Sequence, residues 1–359
     1  MRFVRALGAC ALACAALAAG AGSAGAKTAS QPVVVINHVD NPRGLAFAPN
    51  GTLYAAAAGR AGTQCLAPDE CVGLTSAVWK RSNGKNSRLV SNLPSAGGKD
   101  GSFTVGVDGV SVAPDGSVFA IETSAGQDGL PPGFPPRWDT LGHLLRIWPN
   151  GRITKVAAID QYEWDHNPDG AQLDSDPYAV LALSSHRQLV ADAAGNDILE
   201  VVDGKISTFA VLPKNQWGGE AVPTSLAKGP DGAIYVGELG GEGTKAGGSR
   251  VWRIEPGHKP TVFRTGFTAI TGIAFGRSGA LFVTQLTQDP VNFSPDGDVV
   301  RVSPSGARTH LGSGQLQFPA GLAIGPSGGV YVSNWSILPG HTSASGPFGG
   351  ANGQVVRLP

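Results

Sequence analysis

Six stretches of the chain repeat one phrase, and a repeat limits the fold more than any other feature of a sequence. It reads PRGLAFAPNGTLYAA from Pro42, VDGVSVAPDGSVFAIE from Val107 and PYAVLALSSHRQLVAD from Pro177. It returns as PTSLAKGPDGAIYVGE from Pro223, ITGIAFGRSGALFVTQ from Ile270 and PAGLAIGPSGGVYVSN from Pro319. Each copy is an apolar strand, a tight turn such as Pro49-Asn50-Gly51 or Pro114-Asp115-Gly116, and a second strand with β-branched and aromatic residues. Asn-Gly and Asp-Gly supply the positive φ that hairpin turns demand. A third strand follows in AVWKRS, HLLRIWP, DILEVV, RVWRIEP, DVVRVSP and QVVRLP, often with a Gly turn and a fourth strand after it.

Four antiparallel strands recurring every 46 to 70 residues predict an all-β chain folded as a six-bladed β-propeller. The last copy stops after its third strand, while VVVINHV, Val33 to Val39, is a lone strand ahead of the first copy. Pairing the two completes the ring and removes the exposed sheet edges. A β-sandwich or a right-handed β-helix would use similar strands, but unit, spacing and closure agree on the propeller. The 52 Gly and 26 Pro fit a chain rich in turns and poor in helix.

The opening MRFVRALGACALACAALAAGAGSAGA has the layout of a secretory signal peptide, with cleavage expected after Ala26. Residues 1–26 are read as that peptide and 27–359 as the propeller, exported and extracellular. No later segment approaches the roughly 18–20 apolar residues of a membrane span. Cys10 and Cys14 leave with the peptide, so Cys65 and Cys71 are expected to close one local disulfide. Lys plus Arg equals Asp plus Glu at 27 each with no basic stripe, which argues against a nucleic-acid partner.

In a blade of four antiparallel strands, the turns joining strands one to two and three to four lie on one face, and the remaining connections on the other. Here the first set is short. The second includes Ala58 to Ser76, Thr123 to Gly142, Asp160 to Asp176, Gly240 to Ser249, Leu286 to Gly297 and Trp335 to Gly353. Long loops on a rigid scaffold carry function, so a small molecule, glycan or protein partner is expected on that face, with the chain a monomer.

Two rings of positions surround its axial mouth. Strand-two ends supply Ala57, Glu122, Asp192, Glu238, Gln285 and Asn334; starts of the innermost strands supply Arg43, Asp108, Tyr178, Thr224, Thr271 and Ala320. Glu122, Asp192, Glu238 and Asp108 are candidate acid–base or cation-holding groups. A strand-end carboxylate also commonly binds only its own loop backbone. The second ring is the better placed for solvent in the channel, so Arg43, Asp108, Tyr178 and Thr224 are candidate binding residues, together with Asn334 and Trp217. Trp138, Trp164, Trp217 and Trp335 fall on or near this face, available for stacking or for packing.

The stretch WDHNPDGAQLDSDP, from Trp164, places Asp165, Asn167, Asp169 and Gly170 at positions one, three, five and six of a calcium loop, with Asp176 at twelve. Pro stands at position four and Asp replaces the bidentate Glu, so a solvated lip around a good N-P-D-G turn is the competing reading. Ca²⁺ or another divalent cation is the one cofactor left open. No G-x-S-x-G elbow, H-E-x-x-H, phosphate loop or dinucleotide fingerprint occurs.

NPRGLAFAPNGTLY, DGVSVAPDG, NPDG followed by DSDPYAVLAL, VADAAGNDILEV, VPTSLAKGPDGAIYVGEL, GFTAITGIAFGRSGALFV and PAGLAIGPSGGVYVSN resemble the ScyD/ScyE family of exported, NHL-repeat-like propellers. The family takes its name from genes of the cyanobacterial scytonemin pigment cluster. The resemblance runs from about Val33 to Pro359 and implies a six-bladed extracellular propeller; it supplies no catalytic residues. Ser184-Ser185-His186-Arg187 departs from it, standing where a Pro-Asp-Gly turn is expected. Three functional expectations follow: a binding or scaffold propeller; a metal-assisted lyase or hydrolase with its site at the axial mouth, as in gluconolactonase-, strictosidine-synthase- and streptogramin-lyase-like propellers; or a role in secondary-metabolite maturation.

Overall fold

The computed structural model describes residues 30–67, 70–127 and 136–359. The expected signal peptide lies outside the described residues, as does most of the PPGFPPRW segment. Six antiparallel sheets form a β-propeller. From the axis outward, the strands of the first five blades are called A to D. Blade one holds Pro42–Phe47, Leu53–Ala57, Glu70–Ser82 and Lys85–Gly97, and Gln64–Ala67 adds a short flap to its third strand. Blade two holds Val107–Val112, Val118–Glu122, His143–Ile147 and Ile153–Ala158; blade three holds Pro177–Ala182, Arg187–Asp192, Asp197–Val202 and Lys205–Val211. Blade four holds Pro223–Lys228, Ile234–Glu238, Ser249–Ile254 and Thr261–Phe267; blade five holds Ile270–Phe275, Leu281–Gln285, Asp296–Val302 and Arg308–Gln317.

Blade six takes Leu322–Ile324, Val330–Asn334 and Gln354–Arg357 from the end of the chain, and its outer strand, Val33–Ile36, from the beginning. Val33 pairs with Arg357, Val34 with Val356 and Ile36 with Val355. The predicted closure is therefore present.

The short turns show why the repeat reads as it does. Gly51, Gly116, Gly232, Gly279 and Gly328 all have φ between 76° and 88°. Each closes a turn by donating its N–H to the carbonyl three residues back, as Gly51 does to Ala48 at 2.9 Å. The preceding Asn or Asp keeps negative φ and instead accepts a backbone N–H through its side chain: Asn50 from Thr52 at 3.0 Å, Asp115 from Ser117 at 3.0 Å and Asp231 from Ala233 at 3.2 Å. Positive φ thus falls on Gly alone, as in a type I turn followed by a left-handed Gly. Blade three reverses through Ser184, whose N–H reaches Arg187 O at 3.1 Å.

The core lies between neighbouring sheets. Phe119, Ile121 and Leu144 of blade two pack on Val180, Val190 and Leu199 of blade three. Leu189 and Ile198 then meet Val236 and Trp252 of blade four. Near the axis the innermost strands leave no room for a side chain at the repeated Gly. A Cβ on Gly109 would lie 2.8 Å from Tyr178 O, and one on Gly321 would lie 2.0 Å from Arg43 O. The repeated Gly of the inner strand is a close approach between blades. Gly321→Val is expected to destabilise by about 3 kcal/mol or more through that backbone clash. Urea denaturation checks it, and a midpoint unchanged from the parent chain would contradict it.

One α-helix, Ile159–His166, interrupts the β structure between blades two and three. The expected solvated loop therefore starts as a helix, which Asn167 ends in the left-handed conformation at φ 41°. Cys65 and Cys71 are disulfide-bonded across the flap of blade one. No helix among the described residues is long and apolar enough to cross a membrane.

Candidate functional site

The second ring meets where expected. Arg43, Tyr178, Thr224, Thr271 and Ala320 line a hollow at the axial mouth, which encloses about 450 Å³ including the solvent at its opening. Asp176 and Ser336 join them, and Ala193, Val222, Leu239, Leu286 and Ile337 make the wall largely apolar. Asp108 lines a second hollow, between the innermost strands.

Three of the polar side chains here serve the scaffold. Arg43 is buried and donates Nε to Asp108 Oδ1 at 3.0 Å, Nη1 to Ser336 O at 2.6 Å and Nη2 to Thr104 O at 2.6 Å. It ties blade one to the incoming chain of blade two and to the loop leaving the second strand of blade six. Burial pushes Asp108 up to about 6, with Arg43 opposing, so the pair stays ionised at neutral pH. Thr224 Oγ1 donates to Ile270 O at 2.6 Å and Thr271 Oγ1 to Pro319 O at 3.0 Å.

Three others keep hydrogen-bonding capacity in reserve. The Tyr178 hydroxyl has no partner among the described residues, and burial pushes it up to about 12, so it is a neutral donor. Ser336 Oγ is buried without a partner. Asp176 takes a bond from Thr123 Oγ1 at 3.0 Å. Burial, then Asp108 and Asp192, push it up to about 7, so it exchanges a proton near neutrality. Val222, at the rim, has φ 52°, a conformation costly for a β-branched residue and held by Asn196 Oδ1, which accepts its N–H at 3.1 Å.

The strand-end ring is mostly occupied with its own loops. Asp192 accepts bonds from Ser175 Oγ at 2.5 Å, Asp176 N at 2.7 Å and Gly195 N at 3.0 Å. Glu238 is held by Arg250 Nε at 2.6 Å and Trp252 Nε1 at 2.7 Å. Gln285 binds Thr268 N and Asp298, and Asn334 Oδ1 accepts Gln317 N at 2.7 Å. Glu122 differs: it is fully buried, neither oxygen has a partner, and burial followed by Asp108 pushes it well above the usual carboxylate range, with Arg137 opposing. Trp217 is 41 % exposed, packs over Gly248 and does not line the hollow.

The acidic loop is not gathered as a twelve-residue calcium loop. Asp165 is exposed and accepts Gln161 Nε2 at 2.9 Å, because the helix carries it outward. Asp169 accepts Ala171 N at 2.8 Å and Asn196 Nδ2 at 3.0 Å, and Asn167 Nδ2 donates to Ala171 O at 3.2 Å. Asp176 has moved to the axial hollow. Among the described residues no group of three or more His, Cys, Asp or Glu is placed to hold a metal ion, so neither this set nor the strand-end ring fits one. Asp176 and Ser336 were missed as mouth residues; the place of Asp176 immediately before the inner strand of blade three was the available signal.

No protein-family profile matches the chain, and no curated protein matches it. Solved structures do. A gluconolactonase from Xanthomonas campestris superposes with a TM-score of 0.54 at 12% identity, covering 95% of this chain and 99% of that one. A calcium-binding regucalcin from Agrobacterium tumefaciens gives 0.53 at 14%, covering 92% and 93%. The PQQ-bound aldose sugar dehydrogenase of Streptomyces coelicolor gives 0.53 at 15%, covering 90% and 96%. At these identities the likeness is one of fold.

Proposed function

We propose that the chain is an exported β-propeller that binds a small, uncharged, mainly apolar molecule in the axial hollow, through a carbonyl or hydroxyl group of that molecule. The observation that supports this most is the pairing of an apolar wall with the unpartnered Ser336 hydroxyl, the Tyr178 hydroxyl and an Asp176 carboxyl whose one side-chain donor is Thr123 Oγ1. A ligand carbonyl there would give the buried Ser336 hydroxyl the partner it lacks and could accept from Tyr178, while an anionic ligand would meet no free counter-charge among the lining residues, since Arg43 is already engaged. Export is supported by the N-terminal sequence and by the disulfide, which suits an oxidising compartment. The ScyD/ScyE resemblance agrees with an extracellular propeller of this kind.

A second reading draws on one observation. A carboxyl that titrates near 7 beside a neutral phenol can act as a general acid or base, so lactone or ester hydrolysis at the same hollow is the enzymatic alternative.

δ-Valerolactone and its non-hydrolysable analogue cyclohexanone separate the two by calorimetry and pH-stat assay. Binding of both without turnover is the expected result, weakened about tenfold in Tyr178→Phe. Turnover of the lactone that disappears in Asp176→Asn would establish the second reading. No binding of either would contradict both. The protonated Asp176 is a donor below about pH 7 and an acceptor above it, so affinity for the ketone is expected to fall as pH rises from 6 to 8. Asp176→Asn, a donor at every pH, should flatten that profile.

A further inference from the structure

Blade three buries a second set of acids, apart from the axial hollow. Its second and third strands are joined by Asp192-Ala193-Ala194-Gly195-Asn196-Asp197, and the helix Ile159–His166 lies over this turn. Glu163, on the buried side of the helix, is 1% exposed and Asp197 is 0% exposed. Neither carboxylate has a hydrogen-bond partner on either oxygen. Asn167, which ends the helix by donating its N–H to Glu163 O at 2.9 Å, has a buried Oδ1 that also lacks a partner.

The Glu163 carboxylate is admitted to the turn by the absence of a side chain. A Cβ built on Gly195 would lie 3.1 Å from Glu163 Oε2 and 3.3 Å from Asp192 Cγ, so the Glu163 carboxylate rests over the turn in space that any larger residue would occupy. Asn196 Nδ2 draws Asp169 to the same place at 3.0 Å. Every charge acting on Glu163 or Asp197 is negative: Asp192 and Asp169 on both, Asp174 on Glu163, and Glu163 on Asp197. No Lys, Arg or His among the described residues forms an ion pair with either. Burying two carboxylates without donors or counter-charge costs several kcal/mol per ion, and proteins meet that cost with a metal ion or with protons.

We propose that a hard divalent cation of calcium size binds between Glu163 and Asp197, beneath the helix Ile159–His166, with Asn167 Oδ1 as a further oxygen donor. The donor set is all oxygen and lacks sulfur and imidazole, which selects Ca²⁺ over Zn²⁺. Two carboxylates and an amide leave the remaining positions of a shell of about 6–8 oxygens to backbone or water, so the site is one of modest affinity, roughly 0.1–1 mM, as in extracellular calcium modules. In the metal-free chain, burial and the neighbouring acids push Glu163 up to about 8 and Asp197 well above the usual range, leaving protons where the cation would sit. The cation would also clamp the segment that carries Asp176 to the hollow, through Ser175 and Asp176 on Asp192. The proposal does not depend on what the hollow binds.

The test uses the whole chain, stripped with a chelator and desalted, and titrated at pH 8 with Ca²⁺, Mg²⁺ and Zn²⁺ by thermal shift and calorimetry. Ca²⁺ is expected to bind once per chain and to raise the melting temperature by several degrees at 5 mM. Glu163→Gln and Asp197→Asn should each weaken binding at least tenfold while keeping the parent circular dichroism. Asp165→Ala, on the outer side of the helix, should titrate like the parent. A chain that none of the ions shifts, or whose Ca²⁺ response survives in both Glu163→Gln and Asp197→Asn, would overturn the proposal and assign the pair to shared protons.

Discussion

A chain beginning at Asn37 is expected to lose more than about 10 °C of thermal stability and to aggregate on heating. Its missing strand, Val33–Ile36, is the outer strand of blade six and, among the described residues, the strand that joins the two ends of the ring within one sheet. Without it Gln354–Arg357 becomes a bare edge, and such edges recruit strands from other chains. The closure is also packed: Ile36 is fully buried against Val39, Leu45, Leu53 and Val355. Since the truncated chain could simply fail to accumulate, Ile36→Ala in the intact chain supplies the milder version, with an expected cost of about 2–4 kcal/mol. Denaturant unfolding followed by fluorescence checks both, and an Ile36→Ala midpoint matching the parent would contradict the role given to the closing strand.

Arg43→Met is expected to cost about 3–5 kcal/mol, or roughly 4–7 °C for a chain of this size. The substitution removes three hydrogen bonds that tie together blades six, one and two, and leaves Asp108 buried with no counter-charge. Most of the loss should come from that abandoned carboxylate rather than from the pair itself. The double variant Arg43→Met/Asp108→Leu should therefore recover at least half of it, because apolar replacement of a whole buried pair is often neutral. A single variant within about 1 kcal/mol of the parent, or a double variant no better than the single, would contradict the latch.

The fold was legible because its determinants are local and repeated. The Pro-Asn-Gly and Pro-Asp-Gly turns, the inner-strand glycines and the paired apolar strands each state one contact, and six copies state a ring. The lone strand ahead of the first copy stated the closure. The site was legible in part: the starts of the inner strands line the axis by position alone, which brought Arg43, Tyr178 and Thr224 to the hollow. What each of them does there was not legible, since it depends on partners distant in sequence. Arg43 is spent on Asp108, Thr104 and Ser336, and Thr224 on Ile270, so two apparent binding groups are structural.

The acidic stretch shows the limit most clearly. Its spacing matched a calcium loop, yet a short helix turns Asp165 outward and Glu163 inward, and Asp176 serves the next blade. That helix has no side-chain cap and little amphipathic contrast, so neither the period of apolar residues nor a start signal announced it. Asp197, thirty-four positions from Glu163, became its neighbour only through the fold.

The most direct test of the account is a crystallographic soak of the chain with cyclohexanone and δ-valerolactone. The predicted result is density in the axial hollow, with the carbonyl oxygen within hydrogen-bond reach of the Tyr178 and Ser336 hydroxyls and the ring against Val222, Leu239 and Ile337. A hollow holding only water in crystals where the same compounds bind elsewhere on the surface would contradict it.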